Sequence, residues 1–219
     1  AVRTVLPGTQ LAENDVRKLR DVTAAVKRFD NPRLETRWTY DEALALARPK
    51  YPSAILLPNH RAVLDFCRVL AEDLGIATTG PKVEVKNGRV VDYRELNAHF
   101  EAHRMPVRYF GNGIGDLSDA DGRPLVFIMT YHSSKGLDFD VVHMPGLVST
   151  MQIIPTRALE EAPDLDRTLF FVAMTRSRER LVMSYSGSHA HAFVEGLPRD
   201  AVAFSEHIET PDEEEDILF

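Results

Sequence analysis

An α/β fold with a mostly parallel central sheet flanked by helices is what this sequence predicts, and three observations carry that expectation. Short apolar runs at 54–57 and 125–130 are hydrophobic on both faces, the pattern of a strand covered by helices on either side. Residues 61–74 between them place apolar side chains at helical spacing, giving the strand–helix–strand rhythm of a parallel unit. The chain has 219 residues, 44% hydrophobic and 27% charged, which is enough to bury a core and argues against disorder throughout, collagen or a coiled coil.

Taken in order, Val16, Leu19, Val22, Val26 and Phe29 recur every three or four residues and predict a helix over 14–29, which Asn31-Pro32 ends. A second short helix is expected near Thr39, because Thr39 and Glu42 have the spacing of a capping box. Pro49 and Pro52 then punctuate the chain before the strand at 54–57. In the helix at 61–74, Val63, Phe66, Cys67, Leu70, Ala71 and Leu74 form the apolar face and Gly75 is the stop. Asn87-Gly88 between 82–85 and 89–91 signals a hairpin. A helix over 93–103 turns Leu96 and Phe100 inward, a strand follows at 107–110, and 111–123, with four glycines and three aspartates, is a polar loop. Strands at 125–130 and 141–144 bracket the polar loop 131–139, a helix spans 166–178, and a strand lies at 181–185.

The domain organisation read from these elements is an N-terminal helical segment or linker over 1–52, an α/β domain over 53–204, and an acidic tail over 205–219. Seven of the 33 acidic groups sit in that tail with no Lys or Arg, and the others balance the 26 basic groups, so the net charge of −7 is a property of the tail alone. The overall charge is therefore silent about a local phosphate-binding patch. Apolar runs are far shorter than the roughly 18 residues of a membrane span. One cysteine, Cys67, allows no intramolecular disulfide and fits a reducing compartment, so the expected location is cytoplasmic, away from membranes. His132, His143, His189 and His191 lack the companions of a metal motif, and no metal site is expected.

Two segments carry chemistry. On the predicted helix, Leu169, Val172, Ala173 and Arg176 fall on one stripe, so the guanidinium of Arg176 continues the core face. A cation there pairs with a carboxylate at the core edge or reaches an anion at a domain margin. The loop after Thr130 offers hydroxyls, an imidazole, an ammonium, the flexible Gly136 and the carboxylate of Asp138, a set suited to phosphates and sugar hydroxyls. It follows a buried strand, where open α/β sheets bind ligands.

TYHSSKGLDFDVV at 130–142 resembles motif V of the UvrD/Rep-like superfamily 1 helicases, commonly Thr-x-His-x-x-Lys-Gly-Leu-Glu-Phe. FFVAMTRSRERLVMSY at 170–185 resembles their motif VI, Val-Ala-x-Thr-Arg-Ala, in the family's order and about 35 residues on. The resemblance covers roughly 53–186, with 54–74 as the strand and helix that open the domain. It implies a RecA-like domain of the P-loop NTPase type, the second or C-terminal motor domain of an ATP-dependent DNA helicase or translocase active in DNA repair. It further implies that ATP with Mg2+ lies between this domain and an N-terminal RecA-like ATP-binding domain. By residue-wise carry-over, Arg176 is the catalytic arginine at the γ-phosphate, and Gly136, Asp138 and Thr175 join it around the nucleotide. Asp138 stands where Glu is commoner near the ribose, and Ser177 replaces the usual Ala. Thr130, His132, Ser134 and Lys135 belong to the loop that touches single-stranded DNA.

The absences complete the expectation. No Gly-x-x-x-x-Gly-Lys-Ser/Thr phosphate loop occurs, so these residues cannot cradle the β- and γ-phosphates or place magnesium. Asp41-Glu42 follows no apolar strand and is assigned to the capping box, and no Asn-Tyr-Arg motif is found. About 50 residues separate Gly75 from Leu125, too few for the large inserted domain of UvrD and Rep. The chain is accordingly expected to be half of a motor, without tightly bound nucleotide or ATP turnover of its own. The alternative is a RecA-like remnant that recruits repair proteins through its surface or tail. DEEEDILF at 212–219 resembles the acidic, Phe-terminated tip of bacterial single-stranded-DNA-binding proteins.

Overall fold

The computed structural model describes residues 22–76, 84–86, 89–155, 160, 162 and 164–207. The first half of the predicted N-terminal helix, the Asn87-Gly88 turn and residues 208–219 of the acidic tail lie outside them.

Chain order runs β1 (Thr23–Phe29), α1 (Pro32–Leu46), β2 (Ser53–Leu57), α2 (His60–Asp73), β3 (Glu84–Lys86), β4 (Arg89–Asp92), α3 (Arg94–Ala102) and β5 (Val107–Tyr109). A 3-10 turn (Leu117–Ala120) precedes β6 (Val126–Thr130), β7 (Phe139–Met144), α4 (Leu165–Met174), β8 (Ser177–Ser186), α5 (Ala192–Glu195) and β9 (Ala203–His207). Seven strands form one sheet in the order β5-β6-β2-β7-β8-β1-β9, and every pairing within it is parallel. β3 and β4 make a separate antiparallel ribbon, as the hairpin signal predicts.

The inner strands β2, β6 and β7 are buried along their whole length, which is why their sequences are mainly apolar, with Ser53, Thr130, Asp140 and His143 as the buried polar residues. Alternation along them feeds two cores. Ala54, Leu56, Phe127, Met129, Val142 and Met144 meet Phe170 of α4 on one face. Ile55, Leu57 and Ile128 meet Val63 and Leu70 of α2 and Leu96 of α3 on the other. Each fully buried aliphatic or aromatic side chain of this kind contributes about 1.5–3 kcal/mol.

Two expectations at the N-terminal side are corrected. Residues 23–29 form a strand, not a helix, inserted between β8 and β9. Val26 and Phe29, three residues apart, project to opposite faces, and a strand covered on both sides satisfies that spacing as well as a helix does. Asn31-Pro32 starts a helix instead of ending one: the Asn31 side chain accepts the Leu34 N–H at 2.9 Å, and proline at the first helical position has no N–H to leave unpaired. Thr39 is therefore a buried residue in mid-helix, not a cap. Asp41 pairs with Arg37 one turn back, and Glu42 reaches across to Arg180 of β8.

Glu35, in the first turn of α1, pins the helix to the sheet. Its Oε1 accepts both the Gly146 N–H and the Ser184 hydroxyl at 2.7 Å, while only 3% of the residue is exposed. Glu35→Ala strands both donors and is expected to cost about 2 kcal/mol. Glu35→Gln keeps an acceptor oxygen and is expected to retain most of that stability. Urea unfolding of the two variants checks this, and equal losses would show that the carboxylate's hydrogen bonds are unimportant.

Candidate functional site

Strands β6 and β7 are parallel to the β2 strand between them, so their connection must return along the sheet's full height. A helix commonly makes such a crossover. Here the eight residues 131–138 do it as a run of turns, packed over the face that carries Ala54 and Leu56 through the buried Tyr131 and half-buried Leu137. Thr130 sits beside Leu57 at the C-terminal end of the strands, whereas Asp138 precedes the start of β7. The two ends lie roughly 20 Å apart along the strand axis at about 3.3 Å per residue. The predicted site residues thus form two groups, one at each end of this single loop.

At the first end, Thr130 and Ser134 shape the loop. Thr130 Oγ1 accepts the Ser133 N–H at 3.1 Å and donates to Ser133 Oγ at 3.0 Å. Ser134 is fully buried, with its hydroxyl on the Tyr131 carbonyl at 2.8 Å. His132 and Lys135 are the exposed polar side chains of the loop ahead of Asp138. His60, at the N-terminus of α2, stands near enough to His132 that the second imidazole, after burial, helps hold the His60 pKa below its ordinary value. Sequence reasoning did not single out His60, because nothing in a helix-initial histidine signals its tertiary neighbour. Gly111 closes this end from the side: a Cβ there would lie 2.6 Å from Ser133 Oγ and 2.9 Å from the Tyr109 hydroxyl, so only glycine fits. Gly136 turns the loop back with φ +84, a conformation other residues resist.

At the second end, Arg176 departs from its predicted position. The helix stops at Met174 with Thr175 as its cap, and β8 starts at Ser177, four residues ahead of the predicted strand. Arg176 therefore lies in the turn between α4 and β8. The early part of β8 is polar and partly exposed, which hid it from the apolar pattern, although Ser177 and Arg180 pair with Phe139 and Val141.

In that turn Arg176 is held on three sides. Nε donates to the Val172 carbonyl at 2.9 Å, one terminal nitrogen to the Leu137 carbonyl at 3.0 Å, and the other to Thr175 Oγ1 at 3.0 Å. Thr175 Oγ1 in turn donates to the Val172 carbonyl at 2.9 Å. The backbone closes the same junction through Phe139 N–H to Arg176 O at 2.8 Å. Asp138 Oδ1 lies 3.6 Å from Arg176, and its Oδ2 lies 3.7 Å from Arg178. Both readings of Arg176 left open by the sequence have a counterpart here: a carboxylate at the core edge, and an arginine side chain still 19% exposed.

Chemically, the second end offers a preorganised guanidinium for an anion, and the first offers an imidazole and an ammonium to solvent. No cluster of three or more His, Cys, Asp or Glu suited to a metal ion occurs among the described residues. No helix among them is long and apolar enough to cross a membrane. Cys67 is buried, and burial pushes its thiol up to about 12, so it is an inert core residue.

Comparison with known proteins gives the same picture. Residues 113–188 match the family described as the UvrD-like helicase C-terminal domain, a stretch containing both loop ends and Arg176. The ATP-dependent DNA helicase PcrA of Staphylococcus aureus, strain Mu50, is 32% identical over 79 residues, which is 34% of this chain and 11% of that protein. The PcrA of strain NCTC 8325 matches equally. The chain thus corresponds to about a tenth of these relatives' length. Among solved structures, the C-terminal domain of a possible DNA helicase from Lactobacillus plantarum superposes with a TM-score of 0.50 at 10% identity, covering 90% of this chain and 98% of that one. The fold, a parallel seven-stranded sheet flanked by helices, is the expected RecA-like α/β fold and is shared with that C-terminal domain.

Proposed function

We propose that this chain is the C-terminal motor domain of an ATP-dependent, UvrD-like DNA helicase or translocase, contacting single-stranded DNA and ATP at opposite ends of the 131–138 loop. The observation that carries the reading is that loop itself: one continuous segment joins the exposed His132 and Lys135 to Asp138 and the anchored Arg176. A shift of DNA at the first end has a short route to the guanidinium at the second, along the backbone to Leu137 and through the hydrogen bond its carbonyl accepts from Arg176.

In this reading His132 and Lys135 meet the DNA backbone, while Thr130 and Ser134 hold the loop in the shape that presents them. Arg176 faces the γ-phosphate and neutralises the charge that develops on it as the bond to the leaving group breaks. Thr175 and the Leu137 and Val172 carbonyls fix the fork of Arg176, so little reorganisation is required when the nucleotide arrives. Gly136 and Asp138 complete that side. The phosphate loop and the magnesium ligands must come from an ATP-binding domain, because the sequence has no phosphate loop and the described residues offer no metal cluster. ATP with magnesium is thus a shared substrate of two domains, and repair of DNA in the cytoplasm is the setting proposed for it.

Lys135→Ala tests the DNA end. Single-stranded DNA binding is expected to weaken, and the slope of log affinity against log salt to become shallower by about 0.7, the value for one phosphate contact. An unchanged slope, measured by fluorescence anisotropy on an oligothymidylate, would remove Lys135 from the interface.

A further inference from the structure

The charges at the start of β7 and β8 balance in number, three arginines against three carboxylates, but not in placement. Arg48 is taken by two carboxylates, Asp140 at 3.0 Å and Glu179 at 3.8 Å. Arg176 and Arg178 share one, Asp138, at 3.6 and 3.7 Å. Those separations are beyond hydrogen-bond range, so the carboxylate balances charge without saturating either fork. The Arg176–Arg178–Asp138 group therefore has one positive charge in excess, and the Arg48 group beside it one negative.

The two arginines differ in what they have left to offer. A guanidinium has five N–H groups, and Arg176 commits three of them to Val172, Leu137 and Thr175. Arg178 is 59% exposed, and Asp138 is its ion-pair partner among the described residues. Arg176 keeps two N–H groups, whereas Arg178 has no hydrogen bond at its exposed fork among the described residues, so the side chain with more to offer is the one that the helicase motif does not mark.

Resting on the nucleotide-site reading above, we propose that Arg178 is a second phosphate-binding cation beside Arg176, and that Asp138 is the resident counter-anion which both release when a polyphosphate binds. Arg176 supplies a fixed fork and Arg178 an adjustable one. The exchange is of one anion for another and involves no covalent step. It assigns Asp138 a role opposite to that of a ribose acceptor, since a counter-anion competes with the nucleotide.

Tripolyphosphate, which has no ribose, is the probe, titrated into this chain while the arginine Nε–H signals are followed by NMR. Arg178→Ala is expected to weaken binding about threefold or more, the scale of one exposed charge contact. Arg178→Lys should retain most of the affinity, and Asp138→Asn should tighten it about threefold. Arg68→Ala, on the outer face of α2 and paired with Glu72, is the control for general loss of charge and should change nothing. The proposal is overturned if Arg178→Ala binds as the wild type does, if Arg68→Ala loses as much, or if Asp138→Asn weakens tripolyphosphate. In the complete helicase, Arg178→Ala should raise KM for ATP with kcat little changed. Loss of turnover in Arg176→Ala together with an unchanged KM in Arg178→Ala would overturn this proposal alone. No effect of Arg176→Ala would bring down the motor reading beneath it.

Discussion

On the motor reading proposed above, replacing Arg176 by alanine in the full-length protein is expected to lower DNA-stimulated ATP turnover by on the order of 10³-fold, with nucleotide affinity much less affected. The expectation follows from where the guanidinium is held. Three acceptors from its own domain orient the fork, and none belongs to a nucleotide, so the side chain is positioned before any substrate arrives. An interaction prepared in this way acts on charge that appears in the transition state and adds little to ground-state binding, which lowers kcat and leaves KM nearly unchanged. Arg176→Lys is expected to fail almost as badly, because an ammonium cannot satisfy the Val172 and Leu137 carbonyls and Thr175 at once. The comparison separates geometry from charge. Near-normal turnover in either variant, with the fold verified by circular dichroism, would show that Arg176 only ties α4 to the 131–138 loop.

The same residue shows how far the sequence could be read. Its neighbours in the Thr-Arg-Ser order identified it, and its motif remained a guide even though the helix ends two residues before it. The periodicity that extended the helix to 178 was misleading for a physical reason: Leu169, Val172 and Ala173 are helical, and the backbone turn that follows uses the same spacing to fold Arg176 back onto Val172. β1 was misread because strand and helix are both satisfied when a segment is covered on two faces. α1 was misread because Asn-Pro both ends and begins helices, and only its hydrogen bond to Leu34 decides which. β2 and β6 were legible because burial on both faces selects apolar residues over 54–57 and 125–129, whereas Asp140 and His143 interrupt β7 and only 141–144 of it was read. Arg178 and His60 were not legible, since each owes its interest to a neighbour distant in sequence: Asp138 for one, His132 for the other.

The largest expected effect on stability comes from acid and from His143. This residue of β7 is 1% exposed, beneath α1, with the Trp38 ring edge-on at 6.1 Å. Neither ring nitrogen has a hydrogen-bond partner among the described residues, and Thr39 Oγ1, Glu42 Oε2 and Ser53 Oγ are buried without partners as well. Burial, reinforced by the Arg180 cation, pushes the His143 pKa down from 6.5 to about 3. A pKa lower in the folded than in the unfolded chain means that stability is full above 6.5 and is lost as pH falls toward 3, because only the unfolded chain takes up the proton. At about 1.4 kcal/mol per unit, the loss between pH 6.5 and 4.5 is about 3 kcal/mol. Glu35 acts in the opposite sense: its pKa is raised by burial, so its contribution is present below 4.5 and lost as pH rises through the raised value. Asp73, whose pKa is lowered by Arg33 and Arg37, loses its contribution only below 3.8 and so stays outside this window. His143→Leu removes both unpaired nitrogens at similar volume, and its unfolding free energy in urea is expected to match or exceed that of the wild type at pH 7.5 and to fall less steeply down to pH 5, the remaining slope belonging to His60, His99 and His191, whose pKa values burial also lowers. Glu35→Gln, by contrast, should steepen the acid-side loss by removing the opposing slope. If His143→Leu declines with acid as steeply as the wild type, the imidazole is not the group that acid reaches first, and the buried polar layer beneath α1 tolerates charge better than its lack of partners implies.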